Sequence, residues 1–317
     1  MIESKNKADG QYLNHCYDIL NNGSRKENRT GVDTISKFGK FLEFDLNEGF
    51  PCLTSKKVFF KTSIAEMLWM MSGSTNINTM PSFARKTWSA WASENGEIGS
   101  AYGKQMRDFV SYFPTFNLLP KHLKEKISPD NFDINLNPEW ESLIMVKNQT
   151  GNFSYYEYHV DQLKKIQWQL RTNPNDRRII LDLWSLADLE DMALMPCHFS
   201  SVFNVSEGNK LNCLLTIRSS DCALGLPFNI IMYSLLVNIL AHCCNLKLGY
   251  LKIAIADAHI YTNHIEGISQ QINAETYALP HLNFLNPEIK DFDKFTYKDF
   301  ELVNYQHSEL IKFDVAV

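Results

Sequence analysis

The spacing of apolar residues along the chain predicts a mixture of helices and strands. Apolar residues at helical spacing predict helices at residues 11–22, 60–72, 161–170 and 229–245, and another helix after Thr262. Alternating apolar and polar residues predict strands at 40–46, 178–184 and 251–256, and a hairpin with arms at 200–205 and 211–217. Because the two kinds of element mix without strict alternation, we predict an α+β fold with residues 1–317 in one domain.

The least regular stretch lies at about residues 110–160. It contains several prolines and the aromatic run Tyr155-Tyr156-Glu157-Tyr158, and it shows no repeat or low-complexity signal. We therefore expect an irregular insertion in the catalytic domain at this point.

Composition and charge exclude several classes of protein. Apolar residues make up 44% of the chain and charged residues 21%, which is typical of a globular protein. The net charge of −5 provides no global basic field for nucleic acid or an anionic membrane, so an anionic substrate would need a local arginine cluster. The polar N-terminus lacks the apolar stretch of a signal peptide, and no run approaches the roughly 18 apolar residues of a membrane span.

The seven cysteines are scattered without a disulfide framework, which indicates a reducing compartment, and we expect a cytoplasmic protein. Cys243 and Cys244 follow His242, but adjacent cysteines inside an apolar helical run lack the spacing of zinc ligands. We therefore expect these cysteines to lie in the core and predict that the protein has no metal site.

Two features carry candidate chemistry. Glu66 lies in the middle of a helix that is apolar nearly all round, where a carboxylate is costly unless it is hydrogen-bonded or used in catalysis. Cys197 enters the first arm of the hairpin, between the pair Arg177-Arg178 and the run Arg218-Ser219-Ser220-Asp221. A cysteine beside a strand is more often a packed thiol, but nearby cations stabilise a thiolate and guanidinium groups match phosphate oxygens. This setting suggests covalent catalysis on a phosphorylated substrate.

A series of motifs then makes a family resemblance specific. They are Arg29-Thr30-Gly31, Thr54-Ser55-Lys56, Glu66-x-x-Trp69, Trp88-x-x-Trp91, Tyr102-Gly103-Lys104-Gln105, Pro196-Cys197-His198, Arg218-Ser219-x-Asp221, Leu224-Gly225-Leu226-Pro227-Phe228-Asn229, Asp257-x-His259-Ile260-Tyr261 and Val315-Ala316-Val317. In this order they resemble the thymidylate synthase family over about residues 11–109 and 161–317. The resemblance implies a mixed twisted sheet covered by helices, with sheets stacked across a homodimer that shares its active sites.

The same resemblance implies substrates and residue roles. The substrates would be dUMP and 5,10-methylenetetrahydrofolate, with no metal. The implied catalytic residues are Cys197 as nucleophile, Glu66 and Tyr102 for proton transfer, His198, Asn229 and Asp221. The implied nucleotide ligands are Arg29, Arg218 and Ser219 for phosphate, Arg177 and Arg178 from the second subunit, Asn229 for the base edge, and His259 and Tyr261 for the ribose. The implied folate contacts are Lys56, Trp88, Trp91, Leu194, Asp221, Gly225, Phe228 and Val317.

The chain also departs from the family pattern. Ser100 stands where proline is usual and Met106 where an aromatic residue is usual, and glutamine is usual near Val202 and at the position of Ile217. Residues 110–160 replace what is usually a much shorter link. These departures leave open a deoxyuridylate hydroxymethylase, in which water attacks the intermediate that a synthase reduces.

Two further alternatives are weaker. A cytidylate hydroxymethylase is disfavoured because enzymes specific for cytosine carry aspartate at the position of Asn229. A catalytically idle nucleotide- or RNA-binding homologue is disfavoured by the intact catalytic set and by the net negative charge.

Overall fold

The computed structural model describes residues 2–125, 134–136, 140–147 and 150–315. The described helices are α1 (Lys7–Asn22), α2 (Phe60–Met71), α3 (Gly103–Arg107), α4 (Lys121–Lys124), α5 (Gln162–Thr172), α6 (Gly225–Cys244) and α7 (Ile265–Ile272). The described strands are β1 (Ser24–Lys26), β2 (Thr34–Asp45), β3 (Phe109–Phe113), β4 (Ile134–Leu136), β5 (Glu141–Lys147), β6 (Phe153–Val160), β7 (Ile180–Asp182), β8 (His198–Ser206), β9 (Lys210–Asp221), β10 (Lys247–Tyr261), β11 (His281–Phe284) and β12 (Phe300–Val303). The mixed α+β fold predicted from the sequence is confirmed.

The main sheet combines antiparallel and parallel pairing. Six of the described strands form it in the order β1-β2-β10-β9-β8-β7. β10 runs antiparallel to β2 and parallel to β9, while β8 pairs with β9 as the predicted hairpin. The ladders on both sides of β10 extend it well beyond the predicted 251–256, because each neighbour supplies partners for its backbone hydrogen bonds.

Helix α6 is the central helix of the fold. Its side chains are buried on all sides, and it packs against α2, β9 and β10. The helix has 20 residues and contains an 18-residue window with a mean hydropathy of 1.6. By length and composition it could therefore cross a membrane, contrary to the expectation from the sequence. However, 83% of that window is buried inside the fold, as expected for a helix that is covered by protein on every face.

The stretch predicted to be an irregular insertion contains a second sheet. Within the described residues, β3, β6, β5 and β4 form an antiparallel sheet in that order. Its own small core is built from Leu119, Leu123, Leu143 and Tyr156. The sequence pattern concealed these strands because tyrosines occupy both faces of β6, and a tyrosine suits a buried or a half-exposed position.

A buried carboxylate on α1 fixes the backbone that leads to Lys56. Asp9 is fully buried, and its oxygens accept the backbone N–H groups of Thr54 and Ser55 at 2.9–3.1 Å. The Thr54 hydroxyl donates a further hydrogen bond to Asp9 at 2.8 Å. Charge-assisted bonds of this kind hold the 54–56 turn against α1, and so place the Lys56 side chain beside the end of β9.

Candidate active site

Cys197 is fixed at the point where β8 begins beside β9. Its carbonyl accepts the backbone N–H of Arg218 at 2.8 Å. Its own N–H donates to the Tyr102 hydroxyl at 3.0 Å, so residues from distant parts of the sequence hold both sides of this peptide. The thiol is half-buried. The two hydrogen bonds leave the backbone that carries it little freedom.

The Arg218 guanidinium holds the same segment from the other side. Its Nε donates to the Pro196 carbonyl at 2.9 Å, and Nη2 donates to the Met195 carbonyl at 2.8 Å. Nη2 also lies 3.8 Å from Cys197 Sγ, and the guanidinium carbon lies 5.8 Å from the centre of the Trp184 ring. The cation is thus oriented in advance beside the sulfur.

Burial dominates the electrostatics of Cys197 in the free protein. It raises the pKa of the thiol, and the charges of Arg218 and Arg29 lower the pKa without cancelling that effect. The arginines act in the direction expected from the sequence, but the penalty for burying a thiolate is larger. Cys197 is therefore mainly a thiol at neutral pH before any ligand binds.

A buried chain of contacts connects Glu66 to Cys197. Trp88 Nε1 donates to Glu66 Oε1 at 2.9 Å, and the Trp88 and Tyr102 rings are 5.4 Å apart. The Tyr102 ring lies 4.6 Å from that of His198, and its hydroxyl accepts from the N–H of Cys197. Five predicted catalytic or folate-binding residues therefore meet in one place.

The ionisable side chains in this series of contacts have distinct protonation states. Burial raises the pKa of Glu66 to about 7, which the Trp88 hydrogen bond only partly offsets. Burial lowers the pKa of His198 to about 3 and raises that of Tyr102 well above its usual range. Near neutral pH the imidazole and the phenol are neutral, and Glu66 is the group that can both take up and release a proton.

Tyr102 has a strained backbone at the start of α3. Its φ is 40°, in the left-handed region that residues with a side chain seldom adopt. Such a conformation costs about 1–3 kcal/mol and persists only where the surroundings impose it. Here it is held by the Cys197 contact and by the N–H of Met106, which donates to the Tyr102 carbonyl at 2.9 Å.

Asp221 and Lys56 lie together at the end of β9. Asp221 accepts the backbone N–H of Ala223 at 2.8 Å, and Lys56 Nζ donates to the Ala223 carbonyl at 2.5 Å. Burial lowers the pKa of Lys56 to about 8, and the Asp221 charge acts against this. The Lys56 ammonium also lies 4.5 Å from the centre of the Phe313 ring, so it is engaged within the protein rather than extended into solvent.

The C-terminal end of β10 and the β1–β2 turn bring a third set of residues to the same region. The His259 and Tyr261 rings are 5.2 Å apart, and His259 Nδ1 lies 3.5 Å from Asp257. Burial and then the Asp221 charge raise the pKa of Tyr261, whereas a hydrogen bond to Thr30 and the charge of Arg29 oppose them. Tyr261 is therefore near enough to both the Asp221 carboxylate and the exposed Arg29 to respond to their charges.

The remaining predicted residues divide into three groups. The half-buried residues of the predicted set are Trp91, Leu194, Ser219, Gly225, Phe228 and Asn229, and the Trp91 ring lies 5.9 Å from that of Trp88. Asn229 lies in the first two turns of α6, and its side-chain amide has no hydrogen-bond partner among the described residues. Arg177 and Arg178 are exposed just before β7, where Arg178 Nε donates to Asp176 at 2.9 Å and neither arginine reaches Cys197. Val317 lies outside the described residues.

The structure also adds residues that the sequence did not single out. Trp184 lies against the Arg218 guanidinium, and the Tyr233 hydroxyl lies 2.9 Å from His198 Nδ1. Among the described residues, no group of three or more His, Cys, Asp or Glu side chains could hold a metal ion. His264 is a third residue that the structure adds, and its place between the Asp-x-His-Ile-Tyr motif and the apolar face of α7 is a signal by which the sequence could have indicated it.

A half-buried cysteine lies beside a fixed arginine and is connected through Tyr102 and Trp88 to a buried carboxyl, an arrangement suited to covalent catalysis on an anionic substrate. The chain belongs to the thymidylate synthase family, whose model matches residues 10–317.

Two curated relatives extend this comparison. The chain is 36% identical over 327 residues to the bifunctional dihydrofolate reductase-thymidylate synthase of Plasmodium berghei (strain Anka), covering 99% of this chain and 49% of that protein. It is equally similar, 36% over 327 residues, to the protein of the same description from Plasmodium chabaudi, covering 99% of this chain and 50% of the relative. The chain thus spans about half the length of the curated relatives it matches.

Proposed function

We propose that this chain catalyses the reductive methylation of dUMP to dTMP, with 5,10-methylenetetrahydrofolate as donor of carbon and hydride. The single observation that carries the proposal is the Cys197 thiol held 3.8 Å from the Arg218 guanidinium within the family match. Sγ would bond to C6 of the pyrimidine, which makes C5 nucleophilic toward the methylene group of the folate. The same sulfur leaves C6 when the methylated product forms.

The nucleotide would be held by groups on three sides of Cys197. Arg218 with Ser219, and Arg29, supply cationic and hydroxyl donors for the 5′-phosphate. His259 and Tyr261 would bind the ribose hydroxyl. The unpartnered Asn229 amide can donate and accept at once, which suits the N3–O4 edge of uracil rather than the edge of cytosine.

Proton transfer would run through the buried Glu66 chain. A carboxyl with a pKa of about 7 can exchange protons with water at O4 near neutral pH. Tyr102, or a water beside it, would take the proton from C5. His198 stays neutral and supports the Tyr102 ring.

The folate would lie against the half-buried apolar surface next to Cys197. Trp91, Leu194 and Phe228 leave apolar surface accessible there, and nothing lies within 4 Å of the position of a Cβ on Gly225, so a flat ring has room. Trp88 is only 4% exposed, so Trp91 offers the larger accessible indole surface. Asp221 would accept a hydrogen bond from the pterin, and Lys56 would meet the glutamate end only after leaving the Ala223 carbonyl.

The product decides between the two closest functions. With purified protein, dUMP and 5,10-methylenetetrahydrofolate, we expect dTMP and dihydrofolate in equal amounts, because the aromatic surroundings of Cys197 exclude water from the intermediate. Mass analysis of the nucleotide and the rise in near-ultraviolet absorbance from dihydrofolate measure the two products. A reaction without dUMP is the control. Hydroxymethyl-dUMP formed without dihydrofolate would establish the hydroxymethylase, and nucleotide binding without any product would establish the idle homologue.

The outer face of the main sheet supports a homodimer with stacked sheets. A row of paired residues crosses this face, from Ile180 through Val202 to Leu214. These three apolar side chains are between 37% and 43% exposed, although they stand on neighbouring strands. This exposed apolar row supports the proposal of an interface here, which a second copy would cover symmetrically. Since Arg177 and Arg178 adjoin β7 at the edge of this patch, they would reach the partner's phosphate.

Subunit mixing tests the shared site. When an Arg178→Ala chain is mixed equally with a Cys197→Ser chain, half of the dimers are hybrids, each with one intact site. We expect up to about a quarter of wild-type activity to return. Mixing Cys197→Ser with Glu66→Gln is the matched control, because both residues belong to one chain's site and no hybrid site is intact. Equal activity in the two mixtures, or a monomeric active species by light scattering, would contradict the shared site.

All seven cysteines are free, which supports the proposal that the protein works in a reducing compartment such as the cytoplasm.

A further inference from the structure

Residues 311–315, which follow the last strand, return to the candidate active site and pack closely on α7. A Cβ placed on Gly267 of α7 would lie 2.5 Å and 3.0 Å from atoms of the Phe313 ring, and 3.1 Å from Ile311. The Lys56 ammonium lies 4.5 Å from the centre of the same Phe313 ring. This segment therefore lies in a fitted groove between α7 and Lys56.

The His264 imidazole forms the inner wall of that groove. It is 1% exposed, and its Nε2 donates to the Asp314 carbonyl at 2.7 Å. The ring lies 5.0 Å from Phe313 and 5.5 Å from Tyr261. A single buried side chain thus contacts both the 311–315 segment and Tyr261, the residue proposed to bind the ribose.

The other nitrogen of His264 faces Asp221. Nδ1 lies 3.7 Å from Asp221 Oδ1 and has no hydrogen-bond partner among the described residues. Burial favours the neutral imidazole, but Asp221 and the Asp314 carbonyl outweigh it and raise the pKa of His264. The carboxylate itself is oriented by the backbone N–H of Ala223. A small shift of either group would complete an Nδ1–H to carboxylate hydrogen bond.

We propose that His264 is a positioning residue that anchors the 311–315 segment through Nε2 and orients the Asp221 carboxylate through Nδ1. The position of the segment and the binding of the ligand at Asp221 are then coupled through one rigid ring. The second half of this inference rests on the proposed function, in which Asp221 contacts the folate. The first half, the anchor, does not depend on any activity.

The two nitrogens can be separated by substitution. In His264→Gln the side-chain amide extends to about the position of Nε2 and can still donate to Asp314. In His264→Asn the shorter amide lies near Nδ1 and can serve only Asp221. His264→Phe keeps the ring volume and removes both donors. Gly267→Ala displaces Phe313 without altering a polar group.

Cleavage after Lys312 measures the anchor directly. Lys312 is exposed, but a protease can bind its backbone only when the segment leaves the groove. We expect trypsin to cut at Lys312 about tenfold faster in His264→Phe and Gly267→Ala than in the wild type, and at nearly the wild-type rate in His264→Gln. Mass spectrometry of the products measures these cleavage rates. His242→Phe is the matched control, because His242 Nε2 also bonds a carbonyl, that of Ile289 at 2.9 Å, away from the site.

Steady-state kinetics measure the coupling. We expect His264→Gln, which keeps the anchor, to raise the KM for the folate about tenfold while the dissociation constant of dUMP stays unchanged. His264→Asn should show the reverse weighting, with fast cleavage at Lys312 and a smaller change in the folate KM. A loss that was merely structural would lower kcat and both affinities together.

The outcomes distinguish the two proposals. If His264→Phe is cleaved at Lys312 at the wild-type rate, the anchor is refuted. If anchored His264→Gln binds folate normally, the coupling is refuted. If the wild-type protein forms no dTMP, the proposed function fails, and the cleavage rates of the wild type, His264→Phe and His242→Phe still decide the anchor.

Discussion

Replacement of Cys197 by serine should lower the turnover of dUMP by at least about 10³-fold, the scale seen when a nucleophile is removed from an enzyme. A hydroxyl is far harder to ionise than a thiol at neutral pH, and the Arg218 charge 3.8 Å away cannot compensate for that difference. The dissociation constant of dUMP should change little, because Arg218 keeps its bonds to the Met195 and Pro196 carbonyls. Stopped assays of dTMP and calorimetric binding measure the two quantities.

Cys244→Ser is the matched control for this substitution. Cys244 is also half-buried, and its thiol donates to the Gln167 carbonyl at 3.8 Å on the far side of the fold. Serine can make the same bond, so turnover should stay within about twofold of the wild type. Near-normal turnover in Cys197→Ser would remove this cysteine from the mechanism, and equal losses in both variants would indicate damage to the fold.

Replacement of Glu66 by glutamine should lower kcat by about 10²- to 10⁴-fold, the usual contribution of a general acid–base group. The amide keeps an oxygen for the N–H of Trp88, so the packing is preserved, but it cannot take up or release a proton. Binding of dUMP should survive. The matched control is Asp299→Asn, which alters a buried carboxyl bonded to Thr296 and Asn286 outside the site, and should leave kcat unchanged.

The same pair of variants should differ in the pH dependence of stability. Because burial raises the folded-state pKa of Glu66 to about 7, its stabilising contribution is complete below its ordinary value of 4.5. It is lost as pH rises through about 7, by on the order of 3 kcal/mol. In Glu66→Gln the free energy of unfolding, measured from urea curves, should no longer show this loss between about pH 5 and about pH 8.

Asp299 should show the opposite sign. Burial acts to raise its pKa, but hydrogen bonds from Thr296 and Asn286 outweigh burial and lower it. Its contribution is present above the ordinary pKa of 3.8 and is lost as pH falls. For Glu66, the contradicting outcome is a Glu66→Gln protein whose free energy of unfolding still falls as in the wild type between about pH 5 and about pH 8. That result would show that Glu66 ionises without penalty.

The sequence predicted most of the regular elements near the site, because each buries one face and carries the matching period. The β8–β9 hairpin and helices α2 and α6 follow their predicted spans closely. It did not predict the β3–β6 sheet, whose tyrosines face both a small core and the surface. The apolar length of α6 also resembles a membrane span until the surrounding protein is seen to bury it.

Sequence alone determined which chemical groups this protein possesses and their order along the chain, since a thiol, a guanidinium or a carboxyl is fixed by residue type. Only the tertiary structure decided their state, because a pKa depends on the water removed and on partners that lie far apart in sequence. Burial outweighs two arginines at Cys197 and raises the pKa of Glu66 to about 7. The contacts of His264 with Asp221 and Asp314 likewise join segments more than 40 residues distant on either side, which no local pattern encodes.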